Sequence, residues 1–255
     1  MKIGVFGYPG ENLRLVKAMD AELRKRGAEQ VICLGGMIWS GRQNQEEVDP
    51  PATVIRWLRS ADIPTLSNDT DRQVAGWRVQ GLANTTGYIR KNVRRFLSVI
   101  TREEAEWVIS RPVFLAVENV LCCTDMLTMD AKYPVPLSRS NATRLFKVMT
   151  QRIAIFPSAN GPELLVRKQE DGVIEPGPFQ DIEEKLDSPR AAAVIGGIAG
   201  YPSLQSQVSW GALADSVSNR IALVCIDAKT FKSVPEKGRL LALRGAYRWH
   251  EGKAE

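Results

Sequence analysis

The first 36 residues constrain the chain most, because they read as a strand, an amphipathic helix and a second buried strand in quick succession. Lys2 to Tyr8 is β-like, and Asn12 to Arg26 follows with Leu13, Val16, Met19 and Leu23 on one helical face before Gly27 ends it. Gln30 to Gly36 reads as a second strand through Val31, Ile32, Cys33 and Leu34. After a polar loop from Ser40 to Asp49, a helix from Pro50 or Pro51 carries Val54, Ile55 and Leu58, and Ile63 to Leu66 closes a third strand. Strands separated by helices at this spacing predict right-handed crossovers in a parallel sheet, with any site built from loops at the strand C-terminal ends. Gly7, Gly36 and Asn68 lie at those three ends.

The next segment is helical. Ile89, Val93, Phe96, Leu97 and Ile100 form an apolar stripe, with Arg90, Lys91, Arg94 and Arg95 on the other side. Thr101 with Glu104 forms a capping-box start for a further helix through Trp107 and Ile109. Beyond Pro112 the chain turns strand-rich. Val113 to Val117 and Val120 to Thr124, parted by Glu118 and Asn119, read as a hairpin. Ser140 to Thr150 reads as a helix, Arg152 to Phe156 and Glu163 to Lys168 as strands, and Asp171 with Gly172 as a turn into Val173 and Ile174. Ala191 to Ile198, Arg220 to Asp227 and Thr230 to Val234 supply the remaining strands, while Trp39 and Trp210 fall in loop-like stretches. With no repeat and no clear linker, residues 1–255 are expected to form a single α/β domain, Asp171 to Arg190 being a polar connection.

Composition narrows the chemistry. The chain has one histidine, His250, in a charged tail, so mechanisms that need imidazole as base or metal ligand lack parts. Lys and Arg number 34 against 29 Asp and Glu, a formal net charge of +5, which modestly favours anionic partners. Cys33, Cys122, Cys123 and Cys225 all lie in apolar runs and read as reduced core thiols, which with the lack of an export signal points to the cytoplasm. No run approaches the roughly 18 to 20 apolar residues of a membrane span, so no membrane partner is expected. The glycine-rich GVFGYPG after the first strand matches neither the dinucleotide nor the phosphate-loop spacing.

Several segments together resemble the calcineurin-like metallophosphoesterases, in particular their small prokaryotic phosphodiesterase branch. KIGVFGYPGENL, from Lys2 to Leu13, is similar to that family's opening strand ending in Asp-x-His-Gly-Asn-Leu, and VICLGG, from Val31 to Gly36, to its strand ending in Leu-Gly-Asp. TLSNDTDRQVAGW, from Thr65 to Trp77, resembles the Gly-Asn-His-Asp motif and the helix after it. Ile100 to Leu115 resembles the capped helix leading into the second sheet, and Arg152 to Lys168 the strand, Gly-His-Thr-His loop and strand at the back of the site. Arg220 to Val234 resembles the closing hairpin. The resemblance implies a four-layer αββα sandwich, with two mixed sheets face to face and helices outside.

It also implies a missing centre. The family's chemistry uses two divalent cations about 3.5 to 4 Å apart, held by a bridging carboxylate and several imidazoles. The matching positions here carry Gly7 and Pro9 in the first motif and Gly36 in the second. In the third, Asn68 persists and Asp69 or Thr70 takes the place of the His, while the Gly-His-Thr-His loop reads Pro157, Ser158, Ala159, Asn160. The expected cleft residues are therefore Gly7, Pro9, Gly36, Asn68, Asp69, Asp71, Ser158 and Asn160, with no metal or other cofactor and no catalytic residue assigned.

Three functions compete at this level. The first is a catalytically inactive relative acting as a binding, assembly or regulatory protein, through the former cleft or a surface patch, toward a protein partner or a small anion. The second is a retooled phosphoesterase holding one hard cation on Asn68, Asp69 and Asp71, with Asp125 and Asp130 nearby, by oxygen ligands alone. Against it, Asp and Asn at a strand-to-helix junction are more often a cap or an Asx turn than ligands, and Asp69 or Asp71 reads as the cap of the helix containing Arg72 to Gly76. The third is nucleic-acid binding through the basic helix, with Arg90, Lys91, Arg94 and Arg95 extended by Arg102 as phosphate contacts, although Glu103, Glu104 and Glu106 follow directly and balance the charge.

Overall fold

The computed structural model describes residues 1–7, 9, 12–38, 49–50, 52–81, 91–124, 150–157, 163–167, 174–176, 183–185, 192–196, 208–217, 220–227, 230 and 232. The opening unit forms as the sequence predicts: β1 (Lys2–Phe6), α1 (Leu13–Lys25) and β2 (Gln30–Cys33), with β1 and β2 parallel and Phe6 opposite Cys33. Asn12 caps α1 by accepting from the Leu15 N–H at 2.9 Å. Gly27, at φ 92°, closes it and lets the Ala28 N–H reach the Leu23 carbonyl at 3.0 Å. Four helices follow: α2 (Thr53–Ser60), α3 (Asp69–Val79), α4 (Lys91–Val99) and α5 (Arg102–Ser110). Thr101 and Glu104 form the expected capping box on α5.

Ile63 to Leu66 does not form a strand. Only Thr65 bridges Cys33 in parallel, because Pro64 removes one donor and Leu66 turns at once into the loop before α3. The first sheet instead gains antiparallel members from the far end of the chain, β8 (Glu183–Lys185), β10 (Val208–Asp215) and β11 (Arg220–Asp227), in the order β2-β1-β10-β11-β8. A wholly parallel sheet is thus corrected to a mixed one, and Trp210 belongs to β10 rather than to a loop. The expected strand from Thr230 to Val234 is not formed at Thr230, which lies in a turn with its N–H on Asp227 Oδ1 at 2.7 Å.

The second sheet has the order β3-β4-β5-β9-β6-β7, built from β3 (Phe114–Val117), β4 (Val120–Cys123), β5 (Ile153–Ile155), β6 (Glu163–Arg167), β7 (Ile174–Pro176) and β9 (Ala192–Gly196). The β3–β4 hairpin turns at Glu118 and Asn119 as the sequence predicts. The helix expected at Ser140 to Thr150 and the turn at Asp171 and Gly172 fall almost wholly outside the described residues.

Two apolar clusters hold these layers. Ile3, Val5, Ile32 and Leu34 of the first sheet meet Val120, Cys122, Ile153 and Ile155 of the second, with Ala212, Ala214, Ile221, Leu223 and Cys225 completing the core between the sheets. On the other face of the first sheet, Phe6, Val31, Cys33, Val224 and Ile226 pack under Leu15, Met19 and Leu23 of α1, Ile55 and Leu58 of α2, Val74 of α3, Phe96 and Leu97 of α4, and Val108 of α5. The result is two mixed sheets flanked by helices. Period-two alternation divides each strand between clusters, so Cys122 faces the inter-sheet core and Cys123 the opposite side, both buried.

Gly211 explains why β10 is hard to read. A Cβ there would lie 2.7 Å from Met19 Sδ and 3.1 Å from the Val5 carbonyl oxygen, so α1 can close over the sheet only where this strand carries no side chain. Gly211→Ala is expected to lower stability by about 1 to 3 kcal/mol through overpacking. Chemical denaturation checks this, and pairing it with Met19→Ala should recover part of the loss by opening space for the new methyl.

Candidate functional site

Opposite ends of the sandwich differ in kind. At one end Ser216 donates its N–H to the Met1 carbonyl at 3.0 Å, and its hydroxyl meets Glu118 Oε2, tying the start of β1 to the turn before β4. The C-terminal ends of β1, β2, β4 and β5 therefore share the other end. There Gly7 and Pro9 follow β1, Gly35 and Gly36 follow β2, and Thr124 and Pro157 follow β4 and β5, all of them buried. The Leu34 N–H bonds the Phe6 carbonyl at 2.7 Å and the Leu66 N–H bonds the Cys33 carbonyl at 2.8 Å, drawing the three expected loop segments together.

Asp71 organises this end. Its carboxylate is fully buried and accepts from backbone only: Gly36 N–H on Oδ2 at 2.8 Å, Ile38 N–H on Oδ1 at 2.8 Å and Asn68 N–H on Oδ2 at 3.4 Å, with the Met37 N–H contributing as well. In return the Asp71 N–H donates to Asn68 Oδ1 at 2.8 Å. Asn68 is the N-cap of α3 and Asp71 its reciprocal partner, which refines the expectation of a cap at Asp69 or Asp71. Asp69 occupies the first helical turn and is exposed.

The loop that meets this carboxylate needs unusual backbone. Gly35 and Gly36 have φ of 83° and 75°, which L side chains rarely adopt, and they turn consecutive N–H groups inward as a nest for an anion. A Cβ on Gly35 would also stand 3.0 Å from the Leu66 carbonyl and 3.3 Å from Asp71 Oδ2. Gly35 and the N–H groups of Met37 and Ile38 are the members that sequence reasoning passed over. Two glycines in succession after a buried strand were the available signal.

Burial pushes the Asp71 carboxyl up to about 6, overcoming the four backbone N–H groups that favour its charged form. Burial likewise pushes the Cys33 thiol up to about 12 and raises the Cys122 thiol from its ordinary value, so neither is a ready nucleophile. Among the described residues, no group of three or more His, Cys, Asp or Glu side chains is placed to hold a metal ion. Ser158, Asn160, Arg90, Asp125, Asp130, Trp39 and His250 lie outside the described residues.

The structure therefore brings Gly36, Asn68 and Asp71 into direct contact, places Gly7 at the end of β1, the strand paired with β2, and leaves Asp69 exposed. Arg94 is exposed and Arg95 half-buried on α4, whose Val93, Phe96 and Leu97 pack into the helix layer. The acidic residues after them are engaged: Glu104 pairs with Arg56 at 2.6 Å, Glu103 with Arg59 at 2.6 Å, and Glu106 with Arg102 at 2.9 Å. Trp107 lies under both Arg111, at 4.8 Å, and Arg59, at 6.0 Å, so this face is an ion-paired layer rather than a uniformly basic one. No described helix is long and apolar enough to cross a membrane.

Asp71→Asn is expected to lower stability by about 1 to 3 kcal/mol, since one amide N–H₂ would face the backbone N–H donors that now share a carboxylate. The pH dependence has a definite sign. A carboxyl held above its unfolded value contributes stability that is fully present below about pH 4 and lost as pH rises through about 6. The stability gap between the native chain and Asp71→Asn should narrow over that interval, as read by denaturation midpoints; a gap that widens would show the carboxylate, not the acid, to be favoured by the fold.

No family model and no curated protein matches the chain. Solved structures similar to the chain along almost its whole length include the following. A metallophosphoesterase from Sphaerobacter thermophilus is 12% identical with a TM-score of 0.61, over 98% of this chain and 94% of that one. A hypothetical protein from Pyrococcus horikoshii OT3 is 13% identical with a TM-score of 0.59, over 99% of each chain.

Proposed function

We propose that this chain, which has the metallophosphoesterase fold, is a binding or assembly protein without a binuclear metal centre and without phosphoesterase activity. The observation that carries this reading is the fate of the carboxylate at the strand ends. A binuclear site needs a carboxylate free to bridge two cations and further donors around it. Asp71 spends both oxygens on backbone N–H groups, and Asn68 gives its amide oxygen to the Asp71 N–H. Gly7, Pro9 and Gly36, at the positions that resemble the family's ligands, have no side-chain donor at all. The donor set among the described residues does not fit two divalent ions, and no step of hydrolysis is assigned to it.

The same geometry weighs against a single cation held on Asn68, Asp69 and Asp71. The first and last of these are turned toward backbone within the fold, and Asp69 points away in the exposed first turn of α3. Removing a buried carboxylate from four N–H donors to bind a cation would leave those donors unpaired in an apolar setting. Among the described residues, what this end of the sandwich offers is mostly backbone, suited to contact rather than to generating a hydroxide. Expected ligands are a protein surface or a small anion, and a cytoplasmic location remains part of the proposal.

The test is metal content of the purified, unchelated protein by elemental mass spectrometry, beside hydrolysis of bis(p-nitrophenyl) phosphate with added Mn²⁺. Metal well below one ion per chain and no turnover above buffer are expected. Two ions per chain with turnover abolished by Asp71→Asn would overturn the proposal.

A further inference from the structure

The loop after β2 carries an oxyanion site that the chain fills from within, and we propose that, with the Asp71 carboxylate removed, the same backbone N–H groups take a small free carboxylate from solution. The inference goes beyond the proposed function and does not rest on the absence of a metal centre. The N–H groups of three successive residues, Gly36, Met37 and Ile38, converge with that of Asn68 on one anion. Gly36 and Asn68 reach Oδ2 at 2.8 and 3.4 Å, and Ile38 reaches Oδ1 at 2.8 Å. Donors divided between two oxygens select a planar carboxylate over a one-centre ion such as chloride. All four donors are backbone groups, so they persist when the side chain is cut away.

The bonds that position these donors do not involve the Asp71 side chain. The Leu34 N–H reaches the Phe6 carbonyl at 2.7 Å, the Leu66 N–H the Cys33 carbonyl at 2.8 Å and the Ser67 N–H the Pro112 carbonyl at 3.0 Å, so both walls of the site are tied to the strands. The Asp71 N–H on Asn68 Oδ1, at 2.8 Å, is a main-chain donor and survives truncation, which keeps α3 capped. Met37, Ile38 and Asn68 are buried, and a buried N–H without an acceptor costs about 1 to 3 kcal/mol. Several such donors left open at once favour a replacement anion. Formate, the smallest carboxylate, offers both oxygens without the methyl of acetate, which would meet the Cα that remains at position 71. In the native chain the site is already filled, and a free anion is kept out.

Thermal unfolding tests this on the native chain, Asp71→Gly and Asp71→Asn, each stripped of divalent ions by a chelator and titrated with sodium formate, acetate or chloride at matched ionic strength. Above half-filling of the site, the Asp71→Gly midpoint should rise by about 3 to 5 °C for each tenfold increase in formate, and by less in acetate, relative to chloride. The native chain and Asp71→Asn, whose own side chains occupy the site, should not distinguish formate from chloride. If Asp71→Gly is unfolded in chloride, recovery of its native circular dichroism in formate is the readout. Every arm is free of metal, so metal binding by the native chain would overturn the proposed function and leave this inference standing. An Asp71→Gly chain that responds to formate no more than to chloride, that responds only as the native chain does, or that folds in neither salt overturns the proposal.

Discussion

One buried carboxylate sets the geometry of the strand ends. Asp71 comes from the first turn of α3 and gathers the N–H groups of Gly36, Met37 and Ile38, so the loop after β2 and the start of α3 are fixed to one another through a single side chain. Gly35 and Gly36, both at positive φ, let the loop take the backbone course that brings the N–H groups of Gly36, Met37 and Ile38 onto one carboxylate. A carboxylate without water must be hydrogen-bonded, and here the loop supplies the bonds. The proposed absence of a metal centre follows from the same fact: an oxygen committed to backbone is not offered to a cation.

Around this point the rest is ordinary sandwich packing. Among the described residues the inter-sheet core is aliphatic, with Ala212 and Ala214 of β10 in one cluster with Ile3 and Val5 of β1 and Leu34 and Leu223 beside them. The bulk lies on the other face of the first sheet, where Phe6 and Phe96 belong to the cluster beneath the helices. Gly211 is the hinge between these needs, since β10 contributes to the inter-sheet core through its neighbours while yielding space to Met19 of α1.

Elements whose signal is local were legible in the sequence. The β1–α1–β2 unit, the Thr101–Glu104 capping box and the β3–β4 hairpin each carry their own periodicity or cap. Elements defined by distant partners were not. β10 contains Ser209, Gly211 and two alanines, and becomes a strand because β1 and β11 flank it. β8, with the sequence EEK, has no apolar alternation and is ordered by pairing to β11. Thr65 shows the reverse, since an apolar run beside a proline yields only one bridge. The resemblance to metallophosphoesterases did capture the two-sheet architecture. Gly36, Asn68 and Asp71, singled out in the sequence as cleft candidates, are in contact in the fold, but the inward turn of the Asp71 carboxylate is a tertiary fact that spacing alone does not carry.

The most direct measurement is anomalous diffraction at the manganese edge from crystals of this protein grown with Mn²⁺. The proposed reading predicts no manganese peak at the C-terminal ends of β1 and β2, with the Asp71 carboxylate on the Gly36 and Ile38 amides. Two peaks about 3.5 to 4 Å apart at that end, with Asp71 or Asn68 turned toward them, would contradict it.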